Sequence, residues 1–246
     1  MRARRGSASR SAAAKNKKGL ASDGRLTIAI DGPAGAGKST SARDLANALG
    51  LRYIDTGAMY RGVAWAVVRA GVAPDDRRRV RSLLARTALS FTDEAEPRLL
   101  VDGHDASAAL RSPDVSQAAS RLATVPEVRT FLVRAQRRLA RGGGVVMEGR
   151  DIGTVVLPRA DVKFFLDASV EERARRRWKQ LGATGRSEPR SAIEAAIRER
   201  DHRDRTRAVS PLRAADDAVV LDTTRDSRAR VKRMLLDWVR RKTGVR

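Results

Sequence analysis

Residues 26–40 read LTIAIDGPAGAGKST, and this stretch decides the fold of the chain. Residues 26–30 are apolar and rich in β-branched side chains, which is typical of a strand buried in a parallel sheet. Residues 32–39 then match the phosphate-loop pattern G-x-x-x-x-G-K-S/T at every fixed position. A glycine-rich turn could match by chance, but the strand before it and the helical pattern at 41–49 disfavour that reading. The stretch therefore predicts a site for a nucleoside triphosphate.

Each residue type in this loop has a physical role towards a phosphate group. Glycines allow backbone N–H groups to turn towards phosphate oxygens, and the helix that follows presents its positive dipole end. The amine of Lys38 can reach the β- and γ-phosphates, and the hydroxyl of Ser39 can ligate Mg²⁺. The residues expected at this site are Gly32, Pro33, Ala34, Gly35, Ala36, Gly37, Lys38, Ser39 and Thr40.

Composition restricts the class of protein without choosing a function. The chain has 246 residues, of which 41% are apolar, and this suits one large α/β domain or one domain with inserted subdomains. No run approaches the roughly 18 apolar residues that span a bilayer, and no hydrophobic segment follows the N-terminal charges. The chain has no cysteine, which fits a reducing compartment. We therefore expect a cytoplasmic protein without a membrane partner.

The net charge of +22 has two interpretations. A basic body suits a ligand made of phosphates or a nucleic acid, but an arginine-biased genome would give the same excess. Residues 1–24 are rich in Arg, Ser, Ala and Lys, with Leu20 as the one large apolar residue after Met1. This composition predicts a disordered basic extension, which could touch nucleic acid but is more often simply solvated.

Strand and helix patterns alternate along the rest of the chain. Further strands are predicted at 51–57, 145–147, 162–167 and 218–222, and helices at 58–69, 113–123, 126–141, 170–181, 189–206 and 227–242. Two short apolar runs, 88–91 and 98–101, flank an acidic turn and predict an antiparallel hairpin within an insertion. Right-handed crossovers would then build a parallel sheet covered by helices on both faces.

Two groups of polar residues have a structural as well as a functional interpretation. The segment DTGAMYR (55–61) lies where a strand meets its helix, at the ligand-binding edge of a parallel sheet, but it could also be a helix cap with an exposed arginine. Arg200, Asp204 and Arg207 share one helix face, where they would contact phosphate and ribose or form a salt-bridged surface ladder. No N-K-x-D occurs, which disfavours a guanine-specific switch protein.

An ordered set of motifs resembles that of the bacterial cytidylate kinases. The motifs are IDGPAGAGKST, YIDTGAMYRG, SQAASRLATVPEVR, EGRDIGTVV, VKFFLDAS, EERARRR and ERDHRDRTRAVSPL. The resemblance implies a nucleoside monophosphate kinase domain at 25–246. Its fold would be a three-layer α/β P-loop fold with a central, mainly five-stranded parallel sheet. It would also have an inserted monophosphate-binding subdomain with a small β hairpin at about 87–112, and a helical lid at about 170–190.

The resemblance further implies transfer of the γ-phosphoryl group of ATP to CMP or dCMP, with Mg²⁺. The catalytic cations would be Lys38, Arg150 and Arg207, and Ser39 would be the metal ligand. The acceptor-binding residues would be Thr56, Tyr60, Arg61, Ser120, Arg129, Arg150, Asp151, Arg200, Asp204 and Arg207. We expect a monomer, because the similar kinases need free domain closure, and no nucleic acid partner for the core.

Within the acceptor set, the resemblance gives each side chain a place on the nucleotide. The cytosine would contact Ser120, Arg129 and Asp151, and the Asp151 carboxylate would accept from the exocyclic amine, which uracil lacks. The α-phosphate would contact Arg61, Arg150 and Arg207. The ribose region would meet Arg200 and Asp204, and Thr56 and Tyr60 would face the acceptor. Which arginines of the lid helix touch ATP is left open.

Two departures and two alternatives accompany this resemblance. Glu148 stands where the similar kinases commonly have aspartate, and residues 1–24 lie outside the matching motifs. One alternative is a kinase of the same fold that acts on UMP, AMP or a non-nucleotide acceptor. The other is a nucleic-acid-binding P-loop ATPase, which the basic charge suggests but the aromatic content of 4% disfavours, since few rings are available to stack bases.

Overall fold

The computed structural model describes residues 26–92, 94, 97–183, 185 and 187–245, so the predicted extension at 1–24 lies outside the described residues. The strands are β1 (Thr27–Asp31), β2 (Arg52–Asp55), β3 (Leu89–Phe91), β4 (Leu99–Val101), β5 (His104–Asp105), β6 (Val145–Glu148), β7 (Val162–Asp167) and β8 (Val219–Asp222). The α-helices are α1 (Lys38–Leu49), α2 (Thr56–Arg69), α3 (Arg77–Leu84), α4 (Pro113–Leu122), α5 (Pro126–Leu139), α6 (Val170–Gly182), α7 (Arg190–Thr206) and α8 (Arg228–Thr243).

A five-stranded parallel sheet in the order β2-β6-β1-β7-β8 forms the centre, which confirms the predicted fold class. Strand β1 is its middle strand, and Ile28, Ala29 and Ile30 have no exposed surface. Burial on both faces explains why these strands are continuously apolar rather than alternating. Because all five strands run the same way, their carboxyl ends meet at one edge, where the loop after β1 occupies the centre.

Helices cover both faces of this sheet. Helices α1 and α8 lie on one face, where Leu45, Val231 and Leu235 pack against Phe164. On the other face, Met147 and Ala29 pack with Ile152 and Val156 of a short π-helical turn, Ile152–Val156, which sequence analysis did not predict. Helix α5 holds this turn, because Arg137 donates to the carbonyl oxygens of Val155 and Val156 at 2.7 and 3.0 Å.

A second hydrophobic core lies beside the sheet, among α2, α3, α4, α5 and β4. The predicted hairpin is present as β3 and β4, and β5 extends it to a three-stranded antiparallel sheet. It packs closely on α2, since a Cβ added to Gly62 would lie 2.6 Å from Leu99. Helix α3 was not predicted, although Val80, Leu83 and Leu84 are buried at helical spacing within its run of arginines.

The predicted lid region corresponds to α6 and the segment that leads into α7. These two helices pack through a small apolar cluster that contains Ala174, Leu181, Ile193 and Ile197. Both are otherwise rich in charge. None of the helices in the described part of the chain has the length and apolar character of a membrane span.

Candidate active site

The loop after β1 has the backbone of an anion site. Gly32, Gly35 and Gly37 adopt positive φ angles of 144°, 81° and 89°. A Cβ on Gly32 would lie 1.9 Å from the carbonyl oxygen of Leu166, so only glycine allows the loop to run this close to β7. Helix α1 starts at Lys38 without a side-chain cap, and its first N–H groups therefore remain available to an anion.

Lys38 is buried at the base of this loop. Lys38 is 5% exposed, and its Nζ donates to the carbonyl oxygen of Pro33 at 2.6 Å. Burial, together with the charge of Arg150, lowers the pKa of Lys38 to about 7, while the charge of Glu148 opposes this shift. The negative charge around this amine does not offset the cost of burying its positive charge. A phosphate group would supply that charge and would raise the pKa again.

Glu148 lies at the end of β6, next to the loop. Tyr53 donates its hydroxyl to Oε1 of Glu148 at 2.9 Å, and the Ser39 hydroxyl lies near enough to this carboxylate to act against a rise of its pKa. Burial raises the pKa of Glu148, and the nearby charge of Asp55 acts in the same direction. The longer arm of glutamate at this position is therefore held in place by Tyr53, and it brings its oxygens to Ser39.

A second cluster combines residues of α7 with the segment after β6. Arg150 donates from Nε to Asp204 Oδ2 at 3.0 Å, and Arg207 Nη1 lies 3.9 Å from the other oxygen of Asp204. Burial alone would raise the pKa of Asp204, but the charges of Arg150, Arg200 and Arg207 hold it below its usual value. Burial and Arg150 lower the pKa of Arg200 to about 10. The cluster therefore carries excess positive charge.

A buried ion pair lies at the far side of this cluster. Arg129 on α5 donates from Nη2 to Asp151, and from Nη1 to the carbonyl oxygen of Ala123 at 3.2 Å. The guanidinium of Arg129 lies 5.9 Å from the ring centroid of Tyr60, whose pKa burial raises to about 12. Asp151 is the residue directly before the π-helical turn, and that turn fixes where the pair sits.

Several buried polar atoms of these groups have no hydrogen-bond partner. The structure leaves eight buried side-chain atoms without a partner among the described residues. Five of them belong to predicted acceptor residues: Tyr60 Oη, Ser120 Oγ, Arg129 Nε, Arg200 Nε and Arg207 Nη2. The other three are in Gln136, Thr154 and Arg203. Each such atom costs about 1–3 kcal/mol when left unsatisfied, so their concentration here indicates the place of a polar ligand.

Two predicted acceptor residues make contacts of their own. Arg61 is bound to Asp55, with Nη2 3.0 Å from Oδ2, while the other oxygen of Asp55 caps α2 at Ala58 N. Thr56 donates its hydroxyl to the carbonyl oxygen of Glu148 at 2.7 Å. Arg61 still lies close enough to lower the pKa of Arg200. Contacts and charges thus connect most of the predicted acceptor residues to one another, while Arg61 and Thr56 are held on protein partners and Ser120 is buried on α4.

The structure also identifies residues at the loop that sequence reasoning did not single out. Arg173 donates from Nη1 to the carbonyl oxygen of Ala34 at 3.1 Å, and Arg176 donates from Nη2 to that of Thr223 at 2.6 Å. Thr223 bonds in turn to the carbonyl oxygen of Ala36 at 3.2 Å. A cavity of about 460 Å³ opens beside it, lined by Ser169, Asp222, Thr224, Arg225 and Asp226. The available signal for Thr223 was its place after β8.

Asp31, at the end of β1, holds the π-helical turn. Its two carboxylate oxygens accept from the backbone N–H groups of Ile152 and Gly153 at 2.8 and 2.7 Å. Burial nevertheless raises the pKa of Asp31 from 3.8 to about 7. The folded protein therefore binds more protons than the unfolded chain between these two values, and the stability that this proton contributes is lost as pH rises through that window.

This pKa leads to a measurable pH dependence of stability. Relative to an Asp31→Asn variant, the free energy of unfolding of the wild type should fall with rising pH, by up to about 1.4 kcal/mol per pH unit between pH 5 and 7. Above about pH 7 the difference should level off. Urea unfolding of both proteins at pH 5, 6, 7 and 8 measures this. A difference that is constant across the series would show that Asp31 is ionised throughout.

Comparison with known proteins gives the following matches. Residues 28–241 match the family model described as cytidylate kinase. The cytidylate kinase of Desulfitobacterium hafniense (strain Y51) is 50% identical over 199 residues, which cover 81% of this chain and 86% of that protein. That of Pelotomaculum thermopropionicum is 51% identical and covers 85% and 93%. That of Mycolicibacterium paratuberculosis is 49% identical over 223 residues and covers 89% and 97%.

Proposed function

The chain belongs to the cytidylate kinase family, and from this premise we propose that it transfers the γ-phosphoryl group of ATP to CMP and dCMP. The products are ADP and the corresponding cytidine diphosphate. The observation that best supports this function is the group of unpaired buried polar atoms in the predicted acceptor residues. A phosphorylated, hydrogen-bonding acceptor would give these atoms the partners that they lack.

The donor side of the site comprises the phosphate loop and α1. Backbone N–H groups of the loop bind the phosphates of ATP, and Lys38 leaves the Pro33 carbonyl to reach the β- and γ-phosphates. The charge it meets there restores its pKa. Thr223 supports the loop by its bond to the carbonyl oxygen of Ala36, and Arg176 binds Thr223. The cavity next to Thr224 and Arg225 has room for the rest of the nucleotide.

The described residues offer oxygen ligands for Mg²⁺ without forming a complete metal cage. No cluster of three or more His, Cys, Asp or Glu side chains that could hold a metal occurs in the described part of the chain. Mg²⁺ in phosphate-transfer sites uses one or two protein groups and completes its shell with phosphate oxygens and water. Ser39 and the carboxylate of Glu148 fit that requirement. When bound, the ion neutralises charge on the β- and γ-phosphates.

The acceptor side comprises the arginine cluster and the Arg129–Asp151 pair. Arg150 and Arg207 bind the α-phosphate of CMP, and Asp204 keeps both cations oriented towards it. Asp151 accepts from the cytosine amine while Arg129 holds that carboxylate in place. Arg61 exchanges its bond to Asp55 for the incoming phosphate. Each of these contacts gives a buried polar group a partner or brings negative charge to the positively charged cluster. The site therefore favours an anionic ligand.

Catalysis then depends on placement and charge, and no covalent intermediate on the protein is needed. An oxygen of the CMP phosphate attacks the γ-phosphorus in line, the new P–O bond forms, and the bond to the β–γ bridging oxygen breaks as ADP leaves. Lys38, Arg150 and Arg207 stabilise the charge that spreads over the transferring group. Exclusion of water from the closed site prevents simple hydrolysis of ATP.

The experiment that tests this function is a panel of acceptors. ADP release with ATP and Mg²⁺ would be followed by a coupled assay with CMP, dCMP, UMP, AMP, GMP and no acceptor. We expect strong activity with CMP and dCMP and little with UMP. Equal activity with UMP and CMP would overturn the role given to Asp151 and leave the kinase assignment. Silence with every acceptor, together with RNA-stimulated ATP hydrolysis, would favour a nucleic-acid-dependent ATPase instead.

A further inference from the structure

A buried ion pair connects α6 and α7 to the phosphate loop. Arg173 is 2% exposed and Asp201 is 8% exposed. The pair is bidentate, with Nη1–Oδ1 and Nη2–Oδ2 distances of 3.1 and 2.5 Å. Arg173 also donates from Nε to the carbonyl oxygen of Ala168 at 2.8 Å and from Nη1 to that of Ala34 at 3.1 Å. One guanidinium thus joins three segments that are distant in sequence.

Stability does not by itself account for a charged pair at this place. Burying two charges costs desolvation that their attraction only roughly offsets, and apolar side chains of similar size often stabilise a protein as well or better. Helices α6 and α7 already have an apolar contact of their own through Ala174, Leu181 and Ile193. What the fork-shaped guanidinium adds is a fixed geometry between the two helices and the loop.

The contact with Ala34 acts on the phosphate-binding groups directly. The peptide unit between Ala34 and Gly35 is planar and trans, so its C=O and the N–H of Gly35 point in opposite directions. A bond that fixes the carbonyl oxygen of Ala34 therefore fixes the direction of a loop N–H. The fit is close, since a Cβ added to Gly35 would lie 3.1 Å from Cβ of Arg173.

The other end of the pair belongs to the helix that carries the acceptor residues. Asp201 follows Arg200 directly and precedes Asp204 by less than one turn of α7. Arg200 and Asp204 take part in the arginine cluster, whereas Asp201 faces Arg173. A shift of α7 that closes Arg200 and Asp204 on an acceptor therefore also moves Asp201, and with it Arg173 and the bond to Ala34.

We propose that the Arg173–Asp201 pair is a positioning link that couples the acceptor site to the phosphate loop, so that a bound acceptor nucleotide tightens the binding of ATP. This inference rests on the proposed function. Because coupling free energies are reciprocal, ATP must tighten acceptor binding by the same factor. Neither residue of the pair touches the reacting atoms; both act through α7 and the loop backbone.

The test measures the coupling itself. Calorimetric titration of the full chain with the non-hydrolysable analogue AMP-PNP and Mg²⁺, with and without saturating CMP, gives the ratio of the two dissociation constants. We expect a ratio of at least about 5 in the wild type, a typical size for coupling between sites. In Asp201→Asn, which keeps the side-chain volume, the ratio should fall towards one, while the affinity for CMP alone changes less than about 3-fold.

Two further variants separate the link from general damage to α7. Glu199→Gln removes the ion pair that the exposed Glu199 makes with Arg203 on the same helix, and it should keep the wild-type ratio. Arg173→Lys keeps the charge but loses the fork, so it should lower the ratio even if Asp201→Asn proves unstable on thermal melting. A wild-type ratio of one, or the wild-type ratio in both link variants, would overturn the proposal.

Failure of the link and failure of the proposed function give different results. If the link is wrong, the wild type still phosphorylates CMP, and the substitutions leave the coupling ratio unchanged. If the proposed function is wrong, the wild type shows no CMP-dependent ADP release in the acceptor panel. A purely structural role of the pair would lower the melting temperature of Asp201→Asn with the coupling ratio intact, and it would count against the proposal.

Discussion

Replacing Lys38 with alanine is expected to lower kcat for CMP phosphorylation by about 10³-fold or more. This is the size of effect seen when one well-placed donor to the transition state is removed. The amine of Lys38 lies at the phosphate loop, where its Nζ donates to the carbonyl oxygen of Pro33. A bound triphosphate would replace that carbonyl oxygen as its partner. Binding of CMP should persist, because the acceptor cluster around Asp204 does not include Lys38. Single-turnover kinetics and calorimetric titration with CMP measure the two effects separately.

A matched control for this substitution is Lys179→Ala, which removes an exposed lysine from α6. It should leave kcat unchanged. Loss of Lys38 also removes a positive charge that opposes the raised pKa of Glu148, so the variant should show a further upward shift of that pKa. If ATP-dependent turnover of Lys38→Ala stayed within about 10-fold of the wild type, the phosphate loop would not be the ATP site.

The central sheet could be predicted because its signals are local. The run 162–167 (VKFFLD) is mainly apolar and ends in an aspartate, and it forms β7 with the predicted limits. Glycines at 32, 35 and 37 require a loop whatever surrounds them, since all three adopt positive φ. Helix α1 starts three residues before the predicted 41–49 segment, because Gly37 in the left-handed conformation lets the helix begin at Lys38.

The connections between segments could not be predicted in the same way. The two bonds from Asp31 to the π-helical turn join residues more than 120 positions apart, and no local pattern indicates them. The Arg173–Asp201 pair is similar, since the lid helix contains several arginines and only the packing of α6 on α7 selects one. Such pairings depend on the assembled fold, so residue types and spacing leave several partners open.

The acceptor residues could be predicted only in part. Resemblance to a family pointed to Ser120, Arg129 and Asp151, yet spacing alone did not, because the three come from α4, α5 and the segment after β6. Residues 200–207 remained open between a ligand site and a surface ladder when judged by helix spacing alone. The burial of Asp204 and the unpaired Nε of Arg200 now favour the ligand site, because a solvated ladder would leave neither.

The second large effect is expected for Asp151→Asn. The ratio of kcat/KM for CMP to that for UMP should fall about 10- to 100-fold, since a matched hydrogen-bond pair to a base edge discriminates by about 1–3 kcal/mol. The carboxylate only accepts hydrogen bonds and so suits the cytosine amine, whereas the amide of asparagine can also donate to the carbonyl of uracil. The steady-state assay of both acceptors gives this ratio directly.

Asp151 is also the partner of Arg129, and the substitution must be separated from simple loss of a buried charge. Asp105→Asn removes the carboxylate from an exposed pair with Arg98 and should leave the CMP to UMP ratio unchanged. Loss of the counter-charge should lower the melting temperature of Asp151→Asn, because Arg129 then stays buried without it. A lowered melting temperature with an unchanged ratio would mean that the pair only holds α5 to the π-helical turn. Base selectivity would then have to come from other groups in the cleft, of which Ser120, with its unpaired buried hydroxyl, is the next to examine.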